Sequence, residues 1–261
     1  MFTLRKFSGR TGNLGVPLDD PFPIFDRRRI KFRMGGTSLI AGAPGSYKSI
    51  LALNMLTHWA EQHSILYFSA DSDEFTVAKR LSSILSGNDN DTVETQMQDG
   101  VWRDWYTKNT LPLVDNARFV YRALDFDVIQ NHLAAYEAVN GAFPEIVFVD
   151  NLLNTVDDPT DWGGMINFIK QADVLSRETR SHVCILHHAS EGWAQGNPGM
   201  PPPSWAVQGK VNQIPRLVLT LGALGTHVKL ACVKNTNGPQ DPQAKDYMSF
   251  NVEPSLRVES F

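Results

Sequence analysis

Residues 42–49 read GAPGSYKS. The stretch is one residue short of the phosphate-cradle pattern G-x-x-x-x-G-K-[ST], because Tyr47 stands where the pattern has its second glycine. What flanks it decides the reading. TSLIAG (37–42) is a short apolar strand that runs into the turn, and SILALNMLTHWAEQ (49–62) carries apolar residues at helical spacing. Strand, glycine-rich turn and helix are the context such a cradle needs. Glycines let the backbone aim its N–H groups inward, and the helix N-terminus supplies more, so the turn forms an anion nest. Gly42, Ala43, Pro44, Gly45, Ser46, Tyr47, Lys48, Ser49 and Ile50 are the candidate phosphate-binding segment. Lys48 is placed to reach the β- and γ-phosphates of a nucleotide, and Ser49 to put its hydroxyl on Mg²⁺. Tyr47 must either keep φ negative or store strain, and its ring must point away from the phosphates.

Outward from the turn, strands and helices alternate. HSILYFSAD (63–71) is a second strand, followed by the helical stretch EFTVAKRLSSIL (74–85). Residues 86–116 are polar, interrupted by Trp102, Trp105 and Tyr106, and read as an irregular or partly helical insertion. ARFVYRA (117–123), PEIVFVDN (144–151) and SHVCILHHA (181–189) are further strands, with helices over 127–140 and 165–180 between them. The chain closes with strands at 216–222, 226–235, 247–251 and 255–259. The alternation predicts right-handed crossovers and a mostly parallel twisted sheet flanked by helices, with antiparallel strands at the C-terminal end. Residues 1–33 show little apolar periodicity and are read as an N-terminal arm or linker, preceding one α/β domain over 34–261.

Three further positions belong with the turn. Asp150 ends the apolar strand VFVDN about 100 residues beyond it, the placement of a carboxylate that holds an Mg²⁺ shell. YFSADSDE (67–74) puts carboxylates at the end of the neighbouring strand. Asp71 is the first choice to orient an attacking water, with Asp73 and Glu74 behind it, although acids at a helix N-terminus are also ordinary. LHHA (186–189) ends a third strand, and His188 is the candidate γ-phosphate sensor. Adjacent histidines on a strand point to opposite faces, which argues against a shared metal.

In their order these segments resemble the RecA-like P-loop NTPase domain of DnaB-type replicative helicases and of hexameric RepA-like helicases, over roughly residues 15–250. LYFSAD places Asp71 on the catalytic glutamate of that family, Arg80 fits an arginine on the next helix, and ILHHA resembles the RepA double-histidine strand. ACVKNTNGP (231–239) resembles the pattern Lys-x-Arg-x-Gly, whose cations reach a neighbouring subunit's γ-phosphate. Lys234 matches the lysine; Thr236 stands in the arginine position, with Arg216 or Lys210 as candidate substitutes. The resemblance implies ATP and Mg²⁺ as cofactors, a homo-oligomeric ring or filament, and single-stranded DNA as partner. A shorter class, phage-encoded RecA-like recombination or annealing proteins, fits the length better and the motifs less well.

DNA is expected at the loops 152–164 and 189–208, with Trp193, Trp205 and Lys210 combining stacking and phosphate attraction. A formal net charge of −4 gives no overall pull toward nucleic acid, so such a site has to be local. The basic run Arg27, Arg28, Arg29, Lys31, Arg33 is read as a solvated edge. No signal-peptide h-region and no apolar run near ~20 residues is present, so a cytoplasmic protein without a membrane partner is expected. Cys184 and Cys232 are read as core thiols. Three roles follow: a helicase motor, an ATP-modulated binder of single strands in recombination or annealing, and a regulatory ATPase indifferent to DNA. Tyr47, Asp71 and Thr236 each depart from the helicase pattern toward slower hydrolysis.

Overall fold

The computed structural model of the protein describes residues 15–122, 124–158 and 160–260. Its centre is a nine-stranded sheet in the order β3-β2-β4-β5-β1-β6-β7-β8-β9. The strands are β1 (Thr37–Gly42), β2 (Ile65–Ser69), β3 (Ala117–Tyr121), β4 (Ile146–Asp150), β5 (His182–His188), β6 (Leu217–Leu224), β7 (His227–Asn235), β8 (Tyr247–Val252) and β9 (Val258–Ser260). Pairing is parallel from β3 through β6 and antiparallel from β6 through β9. The α/β architecture, a mostly parallel sheet with antiparallel strands at the C-terminal end, is therefore as the sequence predicts.

Two apolar clusters, one on each face, hold the helices to the sheet. On one face, α2 (Lys48–Trp59) and α3 (Glu74–Ser86) bury Leu51, Met55, Trp59, Val77 and Leu81 against Ile40, Tyr67, Phe148 and Leu186. On the other, α6 (Phe126–Asn140) and α7 (Trp162–Thr179) bury Ile129, Leu133, Met165 and Ile169 against Leu39, Val147, Val149 and Ile185. Alternate residues of each central strand thus serve opposite faces, and each such strand is buried along nearly its whole length.

One region differs from the sequence expectation, and the polar insertion takes the partly helical of its two readings. Residues 15–33 are not a separate arm. They include α1 (Pro23–Arg27) and place Phe22, Phe25, Ile30 and Phe32 in the first core cluster, Phe25 fully buried. The aromatic residues are irregularly spaced, so no period announced them, yet each contributes about 1.5–3 kcal/mol of burial. Residues 1–14 of the expected arm lie outside the described residues. The polar insertion contains two helices, α4 (Asn90–Gln98) and α5 (Gly100–Asn109), capped by Asp89 and Asp99 around a small core of Val93, Met97 and Tyr106. Last in the helical series is the short α8 (Glu191–Gly196), which interrupts the Gly- and Pro-rich loop after β5. Both cysteines are free thiols, Cys184 buried and Cys232 partly so.

Candidate active site at the ends of the parallel strands

The cradle begins where β1 stops. A Cβ on Gly42 would sit 2.3 Å from Ser46 Oγ and 2.8 Å from the Leu221 carbonyl, so the turn can close over this position only with glycine. Gly45 and Tyr47 both take left-handed backbone, at φ 74° and 65°. Tyr47 adopts the conformation a glycine would give without penalty, at a cost of about 1–2 kcal/mol for a residue with a Cβ. Its ring packs against the core cluster beneath α2, which offsets that strain. Lys48 opens α2 with its side chain folded back, donating 3.0 Å hydrogen bonds to the Gly42 and Ala43 carbonyls. Burial pushes its pKa down to about 8, against the opposing pull of Asp150 and Asp71.

Asp150 closes β4 and is 4 % exposed. The Tyr67 hydroxyl donates to its Oδ2 at 2.7 Å. Burial raises its carboxyl pKa, and hydrogen bonds from Tyr67 and Ser49 pull the other way. Ser49, at the start of α2, and Asp150, on the strand two places from β1 in the sheet, thus act on one another electrostatically. Asp71 lies just past β2, whose end is fixed to β4 by the Ala70 amide donating to the Asp150 carbonyl at 2.9 Å. Asp73 is occupied differently. It caps α3 by accepting from the Thr76 amide at 2.7 Å, which leaves Asp71 as the carboxylate facing the site.

Asn151 was not picked out from the sequence. Its Nδ2 donates to Asp71 and lies 3.5 Å from His188 Nε2, so one amide joins the ends of β2, β4 and β5. Its only signal in the sequence was its position directly after Asp150. His188 stands in register with Gly42 across the β1–β5 pair, and burial followed by the Lys48 charge lowers its pKa. Arg80 reaches back from α3 to the Ser72 hydroxyl at 3.3 Å, beside Asp71.

These groups fit a nucleotide phosphate chain with a divalent cation. The left-handed turn frees backbone N–H groups for the anion, and Lys48 supplies the charge. Among the described residues there is no cluster of three or more His, Cys, Asp or Glu side chains able to hold a metal. A cation held by Ser49, Asp150 and the phosphates themselves is the Mg²⁺ mode of binding, which keeps most of its waters.

A family model described as an AAA domain matches residues 28–194, more than half of the chain and the whole of this constellation. The chain belongs to the AAA domain family. Among the similar proteins is the Gene 65 protein of Mycobacterium phage L5, 29 % identical over 274 residues, covering 100 % of this chain and 99 % of that one. The Gene 65 protein of Mycobacterium phage D29 is 30 % identical over 241 residues, covering 85 % and 98 %. In structure the chain resembles a solved ATPase domain, with a TM-score of 0.80 at 14 % identity over 99 % of this chain and 96 % of that one. A DnaB-like replicative helicase, solved with attention to its interactions with primase, gives 0.77 at 16 % identity, covering 98 % of this chain and 64 % of that one. A KaiC-like protein of Pyrococcus horikoshii gives 0.63 at 13 % identity, covering 94 % and 98 %. At such identities these structures speak for the fold, that of RecA-like P-loop ATPases.

The remaining candidates of this AAA domain lie elsewhere on the sheet. Lys234, near the end of antiparallel β7, pairs with Val218, which is itself opposite Leu39. It therefore sits toward the N-terminal end of β1, away from the chain's own cradle, and donates to the Asn212 and Gln213 carbonyls at 3.2 and 2.5 Å. Thr236 hydrogen-bonds to the Arg216 carbonyl, which makes Arg216 its direct neighbour. Lys210 and Trp205 are exposed, Trp205 by 68 %, whereas Trp193 is half-buried in α8. Trp162, another residue not singled out from the sequence, packs on Gly209 beside Lys210 so closely that a Cβ there would meet its Cε3 at 2.5 Å. Among the described residues, no helix is long and apolar enough to cross a membrane.

Proposed function

We propose that this RecA-like ATPase domain binds ATP with Mg²⁺, hydrolyses it and acts on single-stranded DNA as the core of an oligomeric helicase of the DnaB and RepA type. The observation that carries the reading is the Asp71–Asn151–His188 network, which sets a carboxylate and an imidazole at the strand ends facing Lys48. When bound, Mg²⁺ supplies charge neutralisation on the phosphates. The chain's own residues do the rest. Lys48 exchanges its two carbonyl partners for phosphate oxygens, Ser49 and Asp150 hold the cation's shell, and Asp71, oriented by Asn151, accepts a hydrogen bond from the attacking water. His188 senses the γ-phosphate. In an assembled ring or filament, Lys234 and Arg216 act on a neighbour's nucleotide, with Arg216 making good the arginine missing at Thr236.

Single strands are read by the exposed Trp205, by Lys210 and by the half-buried Trp193 on the loop after β5, through base stacking and backbone attraction. Phage relatives and a replicative helicase among the fold neighbours support a place in replication or recombination. A second reading, an ATP-modulated single-strand binder without motor activity, is favoured by Thr236 in the arginine position. The test is fluorescence anisotropy of labelled oligo-dT with ADP, with a non-hydrolysable ATP analogue and with neither. Nucleotide-dependent binding supports both readings, and strand displacement of a forked duplex then selects the motor. No binding in any nucleotide state leaves a regulatory ATPase.

A further inference from the structure

His187 and His188 are consecutive at the end of β5, yet they serve different neighbourhoods. His188 faces Asn151 and Asp71. His187 is fully buried on the opposite face, and its Nε2 donates at 3.1 Å to the carbonyl of Gln208. Its Nδ1 is buried with no partner among the described residues, and so is Thr220 Oγ1, which lies in the same row across Ala41. A leucine or phenylalanine would fill this row without stranding a polar atom. What the imidazole adds is the single bond to Gln208. Burial also pushes its pKa down to about 4, so that it remains a neutral donor.

Gln208 opens an unusual turn. Gly209 and Lys210 both have left-handed backbone, at φ 69° and 54°, the second carrying a Cβ that disfavours it. The same segment is tied to the end of β5 by the Ala189–Val207 bridge and by the Ser190 amide donating to the Ala206 carbonyl at 2.9 Å. The β5 end is in turn tied to the cradle. The Gly42 carbonyl accepts both the Ala189 amide at 3.1 Å and the Lys48 ammonium at 3.0 Å. An ammonium drawn onto a phosphate leaves that carbonyl to Ala189 alone.

We infer that His187 is a positioning residue that couples nucleotide occupancy at the cradle to the Gln208–Lys210 turn. Lys48 releasing Gly42, Ala189 retaining it, the main chain at the end of β5 joining Ala189 to His187, and His187 holding Gln208 form one path of hydrogen bonds and backbone ending in a strained turn that carries an exposed lysine. The inference rests on the nucleotide-binding reading above for its input; its output, a change at the turn, requires no DNA.

The test is amide hydrogen exchange over residues 204–213 of the full chain, with and without Mg²⁺ and a non-hydrolysable ATP analogue, alongside direct binding of that analogue. In the parent, bound analogue changes exchange there by about threefold or more. His187→Phe keeps a ring but no donor; it binds the analogue and shows no change in the turn, whereas His187→Gln, which restores a donor, recovers it. His187→Leu, also donor-free and smaller, replaces the phenylalanine variant should that one fail to fold. Either a parent that binds the analogue without response at 204–213, or a donor-free variant that responds like the parent, overturns the coupling. Failure of the parent to bind the analogue at all overturns the ATPase reading instead, and the coupling with it.

Discussion

Thr236 donates both its amide and its hydroxyl to the carbonyl of Arg216, at 2.9 and 3.0 Å. The pairing of β6 with β7 thus brings an exposed arginine beside the position where a helicase-type pattern would have one. Arg216 is expected to act on a neighbour's nucleotide. Arg216→Ala should lower hydrolysis by on the order of a hundredfold or more while ATP affinity changes little. Mixing it with a Lys48→Ala protein should recover activity, since some interfaces then combine an intact cradle with an intact arginine. Full activity of Arg216→Ala alone would remove the residue from the mechanism.

Tyr47 gives a prediction of opposite sign to helix propensity. At φ 65°, alanine keeps the left-handed penalty and loses the ring, whereas glycine loses only the ring. Tyr47→Gly should therefore be more stable than Tyr47→Ala by about 1 kcal/mol in chemical denaturation. Equal stabilities would mean the backbone relaxes out of this conformation.

The pH dependence of nucleotide binding follows from Lys48. Its free-state pKa of about 8 means that the ammonium is increasingly lost above that pH. Phosphate stabilises the charged form, so binding takes up a proton, and affinity should fall as pH rises through about 8, by up to about tenfold per unit. Isothermal titration in buffers of different ionisation enthalpy measures the proton directly. Lys48→Arg should abolish the uptake, because a guanidinium stays charged.

Tyr67 sets the acid limb. Its hydroxyl holds the Asp150 carboxylate in the charged form against burial. Tyr67→Phe should raise the Asp150 pKa further, moving the acidic limb of hydrolysis to higher pH and raising the Mg²⁺ concentration needed at neutral pH. An unshifted limb would show that Asp150 does not govern it.

Gly209 and Trp162 form a close pair at the proposed single-strand surface. Gly209→Ala adds a methyl group 2.5 Å from the Trp162 ring on a left-handed backbone, and should cost about 2–3 kcal/mol of stability. Trp162→Ala opens that space, so the double variant should lose less than the sum of the two, as a thermodynamic cycle would show.

Much of this was legible in the sequence because the signals were local. A strand, GAPGSYKS and a helix are contiguous, and Asp71, Asp150 and His188 each end an apolar run. The parts that were not legible depend on what the sheet brings together. Asn151 meets Asp71 and His188 only where the ends of β2, β4 and β5 come together, and what the sequence left open between Arg216 and Lys210 turns on the β6–β7 register, which sets Arg216 beside Thr236. Phe22, Phe25 and Phe32 follow no helical or strand period, so the segment holding them read as an arm although it is core. In the 86–116 insertion, short helices are started by aspartate caps and bury only Val93, Met97 and Tyr106, while Val101, Trp102 and Trp105 stay exposed, so the apolar pattern there marks no broad core face.

The most direct test of the central claim is steady-state ATP hydrolysis with and without oligo-dT, across protein concentration. Mg²⁺-dependent turnover is predicted to rise steeply with concentration, to increase with the oligonucleotide, and to disappear in Lys48→Ala. Turnover that is first order in protein and indifferent to oligo-dT would contradict the inter-subunit and DNA-directed parts, and turnover unchanged in Lys48→Ala would contradict the site itself.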